Sequence, residues 1–534
     1  MDTNVEELEV AEETELRLVA RRTWRFFTTF VVAQDNFLPP DNFQEDPQPV
    51  IAHRTSPTNF GLYLLSVVSA RDFGWIGLTD MMRRLEATME TLHKLPRYHG
   101  HFYNWYETER LEVLSPRYIS TVDSGNLAGH LFALAQACKD AKEQSVLRPT
   151  IVAGMRDAVL LLRLAIDGIG QELRTQAVTI NELRKSTEQF SDFLLTTNAI
   201  SPAYAFWEKM VERSEHLFDL AQAFSAEVKS PDNEVLTWAN ELRAAVRMHC
   251  NDFVVMMPWV HLEAQDGGNN PELWQIINSN INIYTALEDL PAAYLAARRD
   301  IARLFNSQNR LDPDVIPQSL YDALDGALTQ AAVLAVEWLN RLERIEAEAR
   351  EMAAEMDFRF LMSPERQLFS IGYNADEGRL DDSYYDLLAS EARLASLVAI
   401  AERQAPPSHW FRLGRRMLPG INGPVLASWS GSMFEYLMPS LVISTPRGSM
   451  LDQTCRDIVA RQIQYGKERH VPWGVSESAL NLRDRAYTYQ YSAFGVPGLG
   501  LKRGLEKDIV IAPYATGLAA ICLLYTSDAA DERS

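Results

Sequence analysis

Two glutamates in the C-terminal third of this chain keep unusual company. Glu435 lies in S-W-S-G-S-M-F-E-Y-L-M-P and Glu477 in H-V-P-W-G-V-S-E-S, each among aromatic, glycine and small polar residues. Tyr487, Tyr489 and Tyr491 follow at alternate positions, and then the glycine-rich F-G-V-P-G-L-G-L-K-R-G. Carboxylates beside flat rings suit work on glycosidic bonds. One acid protonates the leaving oxygen, a second carboxylate supports the oxocarbenium-like centre, and ring faces stack on the apolar faces of sugars. Plainer roles stay open for each. Either glutamate could cap a neighbouring helix, with Ser476-Glu477-Ser478 as a helix start, and alternating tyrosines also form one face of a half-buried strand.

Glu391 is the third candidate. The segment D-D-S-Y-Y-D-L-L-A-S-E-A-R-L-A-S-L-V-A-I-A-E-R opens with Asp and Ser capping residues and is expected to run as a helix. On such a helix Leu387, Leu388, Leu394 and Ala395 surround Glu391, which puts it on the core-facing stripe without a counterion. A carboxylate there either has a raised pKa suited to acid/base work or pairs with an arginine from another helix. Other chemistries lack their signatures. G-V-P-G-L-G is not followed by the G-K-S/T of a phosphate loop, and no G-x-S-x-G supports a serine nucleophile. His99 and His101 have no helix-spaced ligand partner, so neither metal nor cofactor is expected.

The elements that must position these residues are mostly helices. Thr55-Ser56-Pro57-Thr58 starts one helix, a second begins near Thr79, and Asp123-Ser124-Gly125-Asn126 opens a third, with the aromatic loop Y-H-G-H-F-Y-N-W-Y between them. Paired helices with aromatic loops suggest an α/α toroid whose loops at one end form the site. The chain is expected to divide into an N-terminal helix and proline-rich linker (1–50), the first helical hairpins (51–145), a long helical insertion or packing region (146–370) and a catalytic region (371–520). Its 534 residues suffice for a large core, with 47% hydrophobic and 23% charged residues. A formal charge of −21 argues against nucleic acid as a partner and is compatible with a neutral polyol. The scattered cysteines, Cys138, Cys250, Cys455 and Cys522, fit a reducing compartment. The acidic start lacks the basic region of a signal peptide, and no apolar run reaches the roughly 18 residues of a membrane span.

The ordered motifs also carry a family resemblance. T-S-P-T-N-F-G-L-Y-L-L, G-H-F-Y-N-W-Y-E-T, Y-I-S-T-V-D-S-G-N-L-A-G-H-L, Y-Y-D-L-L-A-S-E-A-R-L-A-S, S-W-S-G-S-M-F-E-Y-L-M-P, V-P-W-G-V-S-E-S-A and Y-S-A-F-G-V-P-G-L-G-L-K-R-G resemble the central glycoamylase-like region of bacterial cyclic β-1,2-glucan synthases. The resemblance implies an all-α (α/α)6 toroid related to endo-β-1,2-glucanases. It further implies a transglycosylase that closes linear β-1,2-glucan into rings, on the cytoplasmic side of the inner membrane. Flanking glycosyltransferase and phosphorylase-like domains would lie outside this chain. A β-1,2-glucan hydrolase, or a non-catalytic glucan-binding segment of the synthase, remains the alternative.

Carried over residue by residue, the resemblance implies Glu477 as general acid and Glu391 as the second catalytic carboxylate, facing one another across one cleft. Glu435, Trp429, Trp473, Tyr385 and Tyr436 would sit at or near sugar subsites, with Asp123 and Asn126 as polar lining. The end departs from the family: I-C-L-L-Y-T-S-D-A-A-D-E-R-S resembles translated sequencing-adaptor sequence. Residues 521–534 are therefore expected to pack loosely on a toroid incomplete at its C-terminus.

Overall fold

Serine caps set the frame. The computed structural model describes residues 10–169, 177–196, 204–228, 233–308, 315–485 and 488–531. Within them the chain is all-α, with short two- and three-stranded ribbons in the connections. The first part holds α1 (Val10–Phe30), α2 (Pro57–Asp72), α3 (Leu78–Lys94), α4 (Thr121–Lys142) and α5 (Thr150–Asp167). A middle series follows: α6 (Ala177–Thr196), α7 (Tyr204–Val228), α8 (Glu234–Met256), α9 (Val260–Asp266), α10 (Pro271–Asn280), α11 (Leu290–Gln308) and α12 (Gln318–Ala354). The last part holds α13 (Arg393–Ala401), α14 (Ser408–Arg412), α15 (Met433–Leu437), α16 (Met450–Arg469) and α17 (Pro513–Asp531).

Ser56 caps α2 by accepting the Asn59 N–H, with Pro57 pre-set in the first turn. Ser120 caps α4 through the Asp123 N–H, so that helix starts two residues before the expected Asp123. Ser432 caps α15 through the Glu435 N–H. Each cap spends an otherwise orphaned amide and leaves a carboxylate in the first turn of α4 and of α15.

α4 is the central element. It packs on α2, α12 and α13, and α12 also covers α3. Glycine makes the α4–α13 approach possible: a Cβ at Gly125 would lie 2.4 Å from the Ala395 Cβ, and one at Gly129 would lie 2.9 Å from Leu394 Cδ2. The first turns of α4 and α13 are thereby held side by side.

One hydrophobic core runs from Trp24 to Ala405, so the 146–370 helices share it with the first hairpins. A second core, from Leu388 to Ala519, lies under the C-terminal loops. Leu388 and Ala389 belong to the second core, Leu394 and Ala395 to the first, and Glu391 sits between them in sequence. Ile521 and Cys522 continue α17 and, with Ser440–Arg447 and Cys455, line a cavity of about 740 Å³. No described helix is long and apolar enough to cross a membrane.

The expected helix through Glu391 is corrected. α13 begins only at Arg393, because the preceding backbone is taken by tertiary pairing. Tyr385 N–H bonds to Phe369 O and Leu388 N–H to Gly414 O, with isolated bridges at Tyr384 and Leu387. Glu391 instead occupies the turn that enters the helix, its carbonyl accepting the Leu394 N–H at 3.2 Å.

Substituting Gly125 with valine should push α4 from α13. Overpacking of this kind costs about 1–3 kcal/mol. A urea titration that leaves stability within error of the parent would show that the contact yields freely.

Candidate active site

Three groups of residues act on one another electrostatically, from the starts of α2, α4, α13 and α15 and from the turn into the Ser478–Ser492 hairpin. Thr58, in the first turn of α2, donates to Asp123 Oδ1 at 2.7 Å, and Asn126 Nδ2 donates to Thr58 Oγ1 at 3.2 Å. With its amide turned to suit its neighbours, Asn104 donates to Asp123 Oδ2 at 2.8 Å and accepts from the Trp105 ring N–H at 3.3 Å. Burial pushes the Asp123 carboxyl above its ordinary pKa, and the donors from Ser120 and Thr58 work against it. Asp123 is thus a held polar group, fixed by three different loops or helices.

The second group is a loop clamp. Glu435 accepts the Trp429 N–H at 3.0 Å, the Ser430 N–H at 2.8 Å and the Ser430 hydroxyl at 2.6 Å. Its carboxylate is spent on holding Ser428–Gly431. The glycine-rich segment lies flat against the same loop: a Cβ at Gly495 would come 1.8 Å from Ser430 O, and one at Gly500 would lie 2.6 Å from Ser430 C. The loop so gripped presents Trp429, which is 62% exposed.

The expectation that Tyr436 lines a subsite is corrected. Its ring is 1% exposed, and its hydroxyl accepts the Ser428 N–H while facing the carbonyls of Leu426 and Leu499. It braces the loop from inside the second core. Trp473 is half-buried against that core, its backbone pressed close to Gly466.

The third group is the pair of glutamates. Glu477 Oε2 accepts the Tyr491 hydroxyl at 3.0 Å, while the Tyr514 hydroxyl lies 2.8 Å from the Glu477 carbonyl and 2.9 Å from Ser476 Oγ. Glu391 keeps some surface, yet its Oε2 is enclosed and has no hydrogen-bond partner. Arg393, the nearest arginine in sequence, donates to the carbonyls of Ser390 and Tyr436 rather than to Glu391. No described ion pair includes Glu391.

Burial first, then the charges of Glu477, Asp123 and Glu435, push the Glu391 carboxyl well above its ordinary pKa, against Arg393. Glu477 is also raised by burial, but the Tyr491 hydrogen bond and Lys502 oppose the rise. Both carboxyls are thus pushed toward the protonated form, Glu391 more strongly than Glu477, which has the Tyr491 donor. Tyr385 belongs to the same group: burial, then Glu391 and Asp123, drive its hydroxyl far above the usual tyrosine value.

Glu391, Glu477, Glu435, Asp123 and Tyr385 are therefore brought together, Trp429 is displayed beside the clamp, and Tyr436 is turned inward. Thr58, Asn104, Tyr118, Tyr491 and Tyr514 were not singled out as site residues from sequence. Tyr118 feels both Asp381 and Asp123. The helix-start signal at Thr55–Thr58 and the tyrosine alternation were the available clues. Tyr487 lies outside the described residues.

No family model matches the chain. It is 41% identical over 529 residues, or 97% of its length, to the cyclic β-(1,2)-glucan synthase NdvB of Rhizobium meliloti, of which it spans 16%. Nearly the whole chain is thus related to about one sixth of that synthase. Among solved structures, a glucoamylase candidate from Bacteroides caccae is 10% identical with a TM-score of 0.45, covering 97% of this chain and 84% of its own. An endo-β-1,2-glucanase from Chitinophaga pinensis, in complex with sophorotriose and glucose, is 8% identical with a TM-score of 0.45, covering 98% of this chain and 84% of its own. At that score neither likeness establishes a shared fold.

Two outcomes follow from the geometry. Glu391 has a folded-state pKa above its unfolded value, so its contribution to stability is full below the unfolded value and is lost as pH rises through the folded one. Glu391→Gln should therefore melt above the parent at pH 8 and close to it near pH 4. A melting difference that does not change with pH would mean an unperturbed carboxyl. Glu435→Ala strands two backbone donors at about 1–3 kcal/mol each. It should cost about 2–6 kcal/mol and expose the amides of Trp429 and Ser430 to hydrogen exchange.

Proposed function

We propose that this chain is the glucan-cyclising transglycosylase region of a cyclic β-1,2-glucan synthase. The observation that carries the reading is the Glu391–Glu477 pair: two carboxyls near enough for their charges to interact, one with the Tyr491 donor and the other with an enclosed oxygen that has none, set among Tyr385, Tyr491 and Tyr514. A pair in which one member is protonated and the other is not is what acid-assisted glycosyl transfer requires. The 41% identity to the synthase supports β-1,2-glucan as the substrate. Because that relative is far longer, further domains would supply the linear glucan. They would also anchor the region at the cytoplasmic face of the inner membrane. An (α/α)6 toroid is the architecture proposed for the whole region, with α2, α4 and α13 as neighbouring inner helices.

In this reading a β-1,2-linkage enters between the carboxyls, with Trp429 and Trp473 as candidate stacking platforms and Asp123 and Asn126 as hydrogen-bonding groups for sugar hydroxyls. One carboxyl gives its proton to the leaving oxygen. The other, ionised, promotes attack at the anomeric carbon, directly or through an intervening hydroxyl. Ring closure exchanges one β-linkage for another, so configuration is retained overall. The acceptor is a hydroxyl at the far end of the same glucan. Family resemblance gives proton donation to Glu477, whereas the stronger upward push on Glu391 favours it as the resting proton carrier.

Both glutamines, Glu477→Gln and Glu391→Gln, should reduce turnover of linear β-1,2-glucan by about 10²-fold or more while leaving binding largely intact. The variant rescued by an activated aryl leaving group lacks the acid. Chromatography of the products separates rings from shortened chains. Shortened chains alone would make the region a hydrolase, and binding without turnover would make it a glucan-binding segment.

A further inference from the structure

The hairpin that follows Glu477 does more than continue the chain. Strands Ser478–Arg483 and Tyr489–Ser492 pair antiparallel, with Ser478 opposite Ser492 and Ala479 opposite Tyr491. Side chains on a strand alternate faces, so positions 477, 479 and 491 share one. Tyr491 is then the diagonal neighbour of Glu477, within reach of a long side chain. Its hydroxyl meets Glu477 Oε2 at 3.0 Å, although the residue as a whole is 66% exposed.

The far end of the hairpin is fastened elsewhere. Arg483 donates to Asp46 at 2.7 Å, and the Tyr489 N–H donates to Gln44 Oε1 at 3.1 Å. Gln44 itself belongs to a short ribbon in which Phe43–Gln44 pairs with Val50–Ile51. The N-terminal ribbon thus braces the strand that carries Tyr491.

We propose that Tyr491 is the positioning residue of Glu477: its hydroxyl, carried on the braced hairpin, holds the carboxyl in one orientation. The role rests on the functional reading above for its consequence, but not for its physical basis. The groups facing Glu477 are few. Glu435 from α15, Asp123 from α4 and Glu391 from the turn before α13 favour the protonated form, while Lys502 from the glycine-rich segment favours the charged one. Tyr514 from α17 contacts the Glu477 carbonyl rather than its carboxylate. Tyr491 is the one hydroxyl recorded as donating to that carboxylate among the described residues.

A donor to a carboxylate stabilises its charged form, so removing it raises the pH of ionisation. Tyr491→Phe keeps the ring and the strand and removes only the hydroxyl. In the full chain, the Glu477 carboxyl band, identified by infrared difference against Glu477→Gln, should titrate at higher pH in Tyr491→Phe than in the parent. In assays on linear β-1,2-glucan, the limb of the pH–rate profile governed by Glu477 should move the same way, with the other limb unmoved. An unchanged carboxyl titration overturns the proposal, as does a loss of activity with both limbs in place. If the parent chain turns over no glucan, the functional reading fails, and the infrared titration alone still decides the role of Tyr491.

Discussion

Crowded negative charge is the constraint on which the rest of this structure turns. Asp123, Glu391, Glu435 and Glu477 lie close enough for their charges to act on one another, and burial adds to the cost of ionising Asp123, Glu391 and Glu477. A fold can tolerate this only by supplying donors, by keeping a proton, or both. Asp123 has hydroxyl and amide donors, Glu435 has three donors from one loop, and Glu477 has Tyr491. Glu391 has no donor to its enclosed oxygen, and its carboxyl is pushed well toward the protonated form. Donor supply thus separates Asp123 and Glu435, each held by several donors, from Glu477 with one hydroxyl and Glu391 with none at its enclosed oxygen.

Helix starts do much of the positioning. The N-terminus of a helix carries unpaired amides and a partial positive charge, which favours carboxylates there. α4 has Asp123 in its first turn, and Glu391 stands just before α13. Gly125 lets these two helix starts meet at a distance that no side chain would permit. The meeting point also joins the two cores, so the geometry at Glu391 is sensitive to how both are packed.

Glycine acts differently in the C-terminal loops. Gly495 and Gly500 allow backbone to lie directly on the Ser430–Gly431 peptide, and Glu435 closes the same loop from the other side. Tyr436 fills the space beneath, its hydroxyl accepting the Ser428 N–H and facing the carbonyls of Leu426 and Leu499. An exposed indole at Trp429 is thereby held on a stiff support rather than on a free loop. Such a surface loses little entropy when a flat ligand stacks on it.

Much of this molecule was legible in its residues. The serine caps at Ser56 and the amphipathic periods announced helices, and the aromatic and small-residue surroundings marked out Glu435 and Glu477, because capping and periodicity are local properties. The ordered motifs resembled the central region of cyclic β-1,2-glucan synthases, and the chain shares 41% identity with one such synthase. Local pattern failed where distant backbone competed. The segment before α13 has the composition of a helix, but Phe369 and Gly414 claim its hydrogen bonds, and that loss turns Glu391 from a helix face into a turn. Tyr436 sits in the same motif as Trp429 yet points the other way, since only the packed second core decides which ring is covered. Nor could spacing alone have distinguished Glu435, clamped by three donors, from Glu477, whose carboxylate meets the Tyr491 hydroxyl. Both are glutamates among aromatics and glycines, and their roles diverge only when folding decides how many donors reach each carboxylate.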